Sequence, residues 1–209
     1  NDGRVEIIAA GFFIAQLNLI YSTNAQNNFL VKEDLVIKTI DSQAGKLFDV
    51  KVVDLDLATD TRTGQRVAEL LVTNHQSNKD SIRTSLFYYK LTDGADYRTG
   101  NWTRHLVYDD FRVLKSGIQS AAPGVAKPFN PNLNVQERPY LFVSGDCAEK
   151  AYIFKPSTTN ELSYDLVWSQ LYTDNTVGGV SFADLDGDGL VEFALAIYER
   201  NVVFVYSFN

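Results

Sequence analysis

Nine residues, Asp184-Leu-Asp186-Gly-Asp188-Gly-Leu190-Val-Glu192, restrict what this chain can fold into more than any other stretch. Carboxylates at every second position, then a glycine and a fourth acid, form the donor set of a hard, oxygen-seeking cation. Calcium takes about six to eight oxygens at roughly 2.3–2.6 Å in a flexible cage. Here Asp184, Asp186, Asp188 and Glu192 offer side chains, and Leu190 offers its backbone carbonyl. Gly189 lets the backbone turn where a Cβ would be strained. An EF-hand would need a bidentate acid at its twelfth position, which holds Leu195. The flanks are Val180-Ser-Phe-Ala before the loop, with Phe193-Ala-Leu-Ala-Ile-Tyr and Val202-Val-Phe-Val-Tyr after it. Short β-branched and aromatic runs bounded by turn residues read as strands. The expectation is a calcium loop joining two β-strands.

The loop and its flanks resemble the FG-GAP/VCBS repeat family, in which Asp-x-Asp-x-Asp-Gly-x-x-(Asp/Glu) joins the first two strands of a propeller blade. The resemblance implies calcium ligation by Asp184, Asp186, Asp188 and Glu192 and by the Leu190 carbonyl. It also implies a fold, an all-β propeller of four-stranded antiparallel blades. Asn1-Asp2-Gly3-Arg4-Val5-Glu6 aligns with Gly187 to Glu192, and Ile7-Ile8-Ala9-Ala10 follows as a strand. The chain is therefore expected to open inside such a loop, with Asp2 and Glu6 as ligands and Arg4 contributing its carbonyl.

Repeat units are expected at approximately 1–45, 46–114, 115–172 and 173–209. Recurrence at this spacing suits blades of four short strands. In the first unit, Ala15–Tyr21 and Leu30–Ile37 follow as strands. In the second, Phe48-Asp-Val-Lys-Val-Val-Asp54-Leu-Asp56 enters a metal loop, but an insertion from Leu57 replaces the compact Asp-Gly before Glu69. Asp54, Asp56 and Glu69 sit where ligands would sit, and the insertion is expected to break the cage. Leu70–Asn74, Ser85–Leu91 and Trp102–Tyr108 follow as strands. The third unit opens on a glycine-, proline- and asparagine-rich run, Ser116 to Leu133, expected to be a long metal-free connection. Tyr140–Ser144, Ala151–Phe154 and Tyr164–Tyr172 supply its strands. About fourteen strands in four blades result, the first and last each one strand short. Such a set is expected to belong to a six- to eight-bladed ring, completed by a missing segment or a partner chain.

The net charge of −7 disfavours nucleic acid and anionic membranes as partners. No apolar run approaches the roughly 20 residues of a membrane span. Cys147 is the only cysteine and has no internal disulfide partner. With no methionine the sequence does not start at an initiator residue, and no secretory leader is visible. His75 and His105 stand in no catalytic spacing; the first belongs in a turn, the second on an outer strand. No Ser/His/Asp order, phosphate-cradling glycine loop or Cys/His cluster is present. The family resemblance implies a recognition or scaffold module at the cell surface or outside the cell, with carbohydrate or an extracellular protein as ligand, and the missing motifs lean the expectation away from an enzyme without deciding it. Trp102, Tyr97 and Tyr108 are candidates for sugar stacking, and Asn101 of Asn-Trp-Thr is a candidate glycosylation acceptor. The alternatives are the propeller of a lyase- or dehydratase-type carbohydrate-active enzyme, and a structural subunit whose missing strand a neighbour supplies.

Overall fold

Alternation of apolar residues with period two sends successive side chains to opposite faces of a strand, and in this chain both faces are used. The computed structural model describes residues 5–24, 26, 29, 31–59, 64, 66–92, 95–115, 117, 120–158 and 162–208. Among them are fourteen strands in four antiparallel sheets. The first sheet has the order β1(Glu6–Gly11)-β2(Gln16–Ser22)-β3(Leu35–Asp41). The second runs β4(Leu47–Val53)-β5(Glu69–Asn74)-β6(Ser85–Leu91)-β7(Trp102–Tyr108). The third is β8(Ala126–Phe129)-β9(Tyr140–Ser144)-β10(Lys150–Pro156)-β11(Tyr164–Leu171), and the fourth β12(Val177–Ala183)-β13(Glu192–Ile197)-β14(Val202–Tyr206).

Consecutive sheets are joined by shared cores. Leu17 of the first sheet packs with Leu47, Leu70, Val72, Phe87 and Tyr89 of the second. From the second sheet's other face, Leu71, Leu86 and Tyr88 meet Leu141, Val143, Tyr152 and Phe154 of the third, around Phe111. The third sheet's remaining face, Phe142, Ala151 and Ile153, meets Phe193, Leu195 and Ile197 of the fourth. Strand β5 is buried along its whole length because Leu70 and Val72 serve one core and Leu71 the next. The two end sheets have only one such neighbour. On the first, Ile7, Ile20 and Ile37 stand opposite one another, with Ile7 and Ile37 exposed. On the fourth, Val203 and Val205 are exposed beside their cross-strand partners Ala196 and Ala194.

Two expectations need correction. The run from Ser116 to Leu133 is not only a connection, because it holds strand β8. Its Pro128 lacks a backbone N–H, but β8 pairs on one side only, with β9, so no ladder bond is lost. The third strand of the first sheet begins at Leu35, not Leu30. Polar Lys32-Glu33-Asp34 forms a 3-10 turn ahead of it, closed by Asp34 N–H donating to the Val31 carbonyl at 3.2 Å and tied to the end of β2 by Thr23 N–H donating to the Asp34 carbonyl at 2.8 Å.

Candidate metal centres

The nine-residue loop joins β12 to β13, the first two strands of the fourth sheet. Its acids first organise their own loop. Asp184 accepts the Gly187 and Gly189 N–H groups at 2.7 and 3.0 Å, one on each oxygen. Asp186 accepts from Asp188 N–H at 3.2 Å, and Asp188 from Leu190 N–H at 2.7 Å. Glu192, only 6% exposed, reaches back to accept the Leu185 N–H at 2.7 Å. These bonds turn the carboxylates inward, so that Asp184, Asp186 and Asp188 each hold an oxygen within 4.8 Å of the others. Gly187 and Gly189 have φ of +81° and +86°, the left-handed region open to glycine. A Cβ on Gly189 would also lie 2.4 Å from the Asn134 amide nitrogen.

That contact belongs to a buttress. The β8–β9 loop lies along the acidic loop, with Leu133 N–H donating to the Gly189 carbonyl at 3.0 Å and Val191 N–H to the Pro131 carbonyl at 2.9 Å. The proline- and asparagine-rich run thus holds the neighbouring loop in shape. Among the described residues no Lys or Arg pairs with Asp184, Asp186, Asp188 or Glu192. Three carboxylates within 4.8 Å of one another and without a basic partner repel, and a cation would relieve that repulsion.

The second acidic set has the same frame. Asp54, Asp56 and Glu69 each place one oxygen within 4.8 Å of the others, between β4 and β5. Asp54 accepts the Leu57 N–H, Asp56 the Ala58 N–H and Glu69 the Leu55 N–H, all at 2.8 Å. Leu57 takes a left-handed φ of +58° where the first loop has Gly187, a strain of about 1–2 kcal/mol for a residue with a Cβ. Two basic side chains enter here. Arg66 binds Asp54 at 2.8 Å and Lys90, from β6, binds Asp56 at 2.9 Å. The described part of the insertion returns alongside its own start, Thr59 bridging to Arg66, which carries the guanidinium over Asp54.

Glu69 is 1% exposed, and burial raises its pKa to about 7 against the pull of the Leu55 N–H, with Asp56 and Asp54 adding to the rise. In the unfolded chain this carboxyl titrates near 4.5. The folded state therefore holds a proton that the unfolded state releases between these values. Stability supplied by Glu69 is complete below about pH 4.5 and is lost as pH rises through about 7. In chelator, the wild type is expected to lose on the order of 2–3 kcal/mol between pH 5 and pH 8 relative to Glu69→Gln. Denaturant titrations of both proteins at the two pH values measure this; parallel pH curves would show that Glu69 is not strained by its burial.

Asp2 and Arg4 lie outside the described residues. Glu6, the remaining member of that set, is ion-paired with Arg98. Trp102 is half-buried against the first core, its indole N–H donating to the Tyr97 carbonyl at 3.4 Å. Tyr97 lies under the Arg98 guanidinium, 5.1 Å from its ring centroid. Tyr108 meets Phe111 edge-on and packs beside Phe154. Asn101 is exposed immediately before β7.

His75 follows β5 and stacks on Phe48 at 4.7 Å, with Nδ1 2.8 Å from the Pro123 carbonyl and Nε2 3.7 Å from Asp146. Cys147 donates its thiol to Asp146 at 3.6 Å, and burial pushes the thiol pKa up, away from the thiolate a nucleophile needs. His105, on β7, stacks on Tyr88 at 4.7 Å. Spacing in the sequence could not bring out the basic partners of the second set, because Lys90 comes from another strand. No family model, curated protein or solved structure matches the chain.

Proposed function

We propose that this chain is a calcium-stabilised β-propeller portion of the FG-GAP/VCBS type, serving as a recognition or scaffold module outside the cell. The observation that carries the reading is the loop in which Asp184, Asp186 and Asp188 each hold an oxygen within 4.8 Å of the others, with Glu192 reaching back to the Leu185 N–H and no basic partner among the described residues, between the first two strands of its sheet. The sheet arrangement supports it. The first strand of each later sheet packs by the first or second strand of the preceding one, β4 against β1, β8 against β4 and β5, and β12 against β9. A sequential succession of blades around an axis would produce contacts of this kind. Among the described residues the first and fourth sheets have three strands where the other two have four, and they carry exposed apolar residues, Ile7 and Ile37 on one and Val203 and Val205 on the other.

In this reading the ion is structural. It neutralises the packed carboxylates and pins the turn against the Pro131–Leu133 buttress. Extracellular calcium, at about millimolar levels, fills loops whose affinity lies in the 10⁻⁴–10⁻³ M range. Ligands then bind on loop faces, where carbohydrate or an extracellular protein is the partner class. No helix among the described residues is long and apolar enough to cross a membrane. A glycan array run with calcium and again with chelator tests the recognition role. Binding lost on chelation is expected; silence in both conditions from folded protein would remove the carbohydrate version.

A further inference from the structure

We propose that a groove at the end of the second sheet away from its acidic loop binds a neutral oligosaccharide through the paired side chains of Arg83 and Asp109. The inference rests on the recognition role proposed above and gives it a site. Two cavities of about 320 Å³ each lie side by side there and share Ile82, Arg83 and Asp109. Each reaches the lower end of the range for small-molecule sites, about 300–1,000 Å³. The walls are the β3–β4 connection at Gln43 and Ala44, the β5–β6 connection, and strand β7 with the residues that follow it. Their backbone is fixed from beneath. Asn74, fully buried, donates to the Ala44 carbonyl at 3.0 Å and to the Arg83 carbonyl at 2.8 Å, so two walls hang from one side chain.

Charge narrows the ligand class. Among the described residues of these walls every charged side chain already has its opposite. Arg83 pairs with Asp109 at 3.1 Å, Arg112 with Asp110 at 2.8 Å, Arg104 with Asp41 at 3.0 Å and Asp80 with Lys46 at 2.9 Å. A charged ligand has to break one of these pairs. A hydroxyl donates and accepts at once, so it joins a pair without disrupting it. The central pair keeps capacity for that, since Arg83 commits one of its five N–H donors and Asp109 one of its two oxygens. Two hydroxyls on neighbouring ring carbons match such a side-by-side donor and acceptor. The apolar side of a sugar ring has its place as well, because Ile82 and Leu106 stand exposed on the wall of the first cavity. A protein partner would need a centre depleted of charge, and here the centre is the Arg83–Asp109 pair.

The test is an array of neutral and acidic glycans probed in calcium with wild-type, Arg83→Ala and Asp109→Asn proteins. The two side chains are 80% and 37% exposed, so both variants are expected to melt within about 2 °C of wild type. Neutral glycans are expected to bind wild type. Calorimetric titration with the strongest of them should show an affinity at least about tenfold lower in each variant, the loss of one hydrogen bond to a charged group. Undiminished affinity in either variant would overturn the groove while leaving the recognition role intact. Hits confined to acidic glycans would overturn the neutral class. Silence from folded wild-type protein would overturn the groove and the carbohydrate role together, and would leave the calcium loop and the scaffold reading standing.

Discussion

Asp186→Asn, Asp188→Asn protein is expected to melt at the same temperature with and without calcium, whereas wild-type protein loses roughly 10 °C on chelation. With calcium supplied at about 10 mM, some 100 times a dissociation constant of about 10⁻⁴ M, binding stabilises the folded state by about 2.7 kcal/mol. For a chain of this size each kcal/mol moves the midpoint by about 2–4 °C. The two substitutions keep the loop's geometry, because an asparagine carbonyl can still accept the Asp188 and Leu190 N–H groups that Asp186 and Asp188 hold. What they remove is charge. Four unpaired acids in one loop repel one another, so in chelator the double variant should be slightly more stable than wild type. With calcium the order reverses. Differential scanning calorimetry in both conditions reads the crossing, and a wild-type midpoint indifferent to chelator would refute calcium as the loop's stabiliser.

The nine-residue loop was legible because its chemistry is local. Alternate acids, two glycines and apolar flanks all fall within one turn and two strands, and backbone N–H groups from the same turn orient the side chains. Strand positions were legible for a related reason, since β5, β6, β7 and β9 each carry apolar residues bounded by turn residues. Strand β8 was hidden by Pro128, which reads as a breaker unless one knows that its free side faces away from the ladder. The second acidic set was half legible. Asp54 and Asp56 are separated from Glu69 by an insertion, and only the fold shows that Glu69 takes the Leu55 N–H as Glu192 takes that of Leu185. Its basic partners come from the far side of the insertion and from another strand. Arg138, from the β8–β9 loop, adds a donor to the Leu55 carbonyl at 3.0 Å.

The packing between the third and fourth sheets leads to the other large effect. Phe142 is fully buried, with ring centroids 6.0 Å from Phe182 and 5.9 Å from Phe193. These two partners flank the acidic loop, Phe182 ending two residues before Asp184 and Phe193 following Glu192 directly. Phe142→Ala is expected to cost about 3–5 kcal/mol, the transfer term of the ring plus the cavity it leaves. Because the void opens under both stems of the loop, calcium affinity should fall with stability. A control on the uncovered outer face, Val203→Ala, should change stability by about 0.5 kcal/mol or less. Urea titrations with and without calcium test both halves. A Phe142→Ala protein as stable as the Val203→Ala control would mean that the two sheets are not held together by this aromatic core. A destabilised Phe142→Ala protein with unchanged calcium affinity would mean that the loop keeps its shape from its own turn bonds and from the Pro131–Leu133 buttress alone, and that the strands beneath it serve the fold and not the ion.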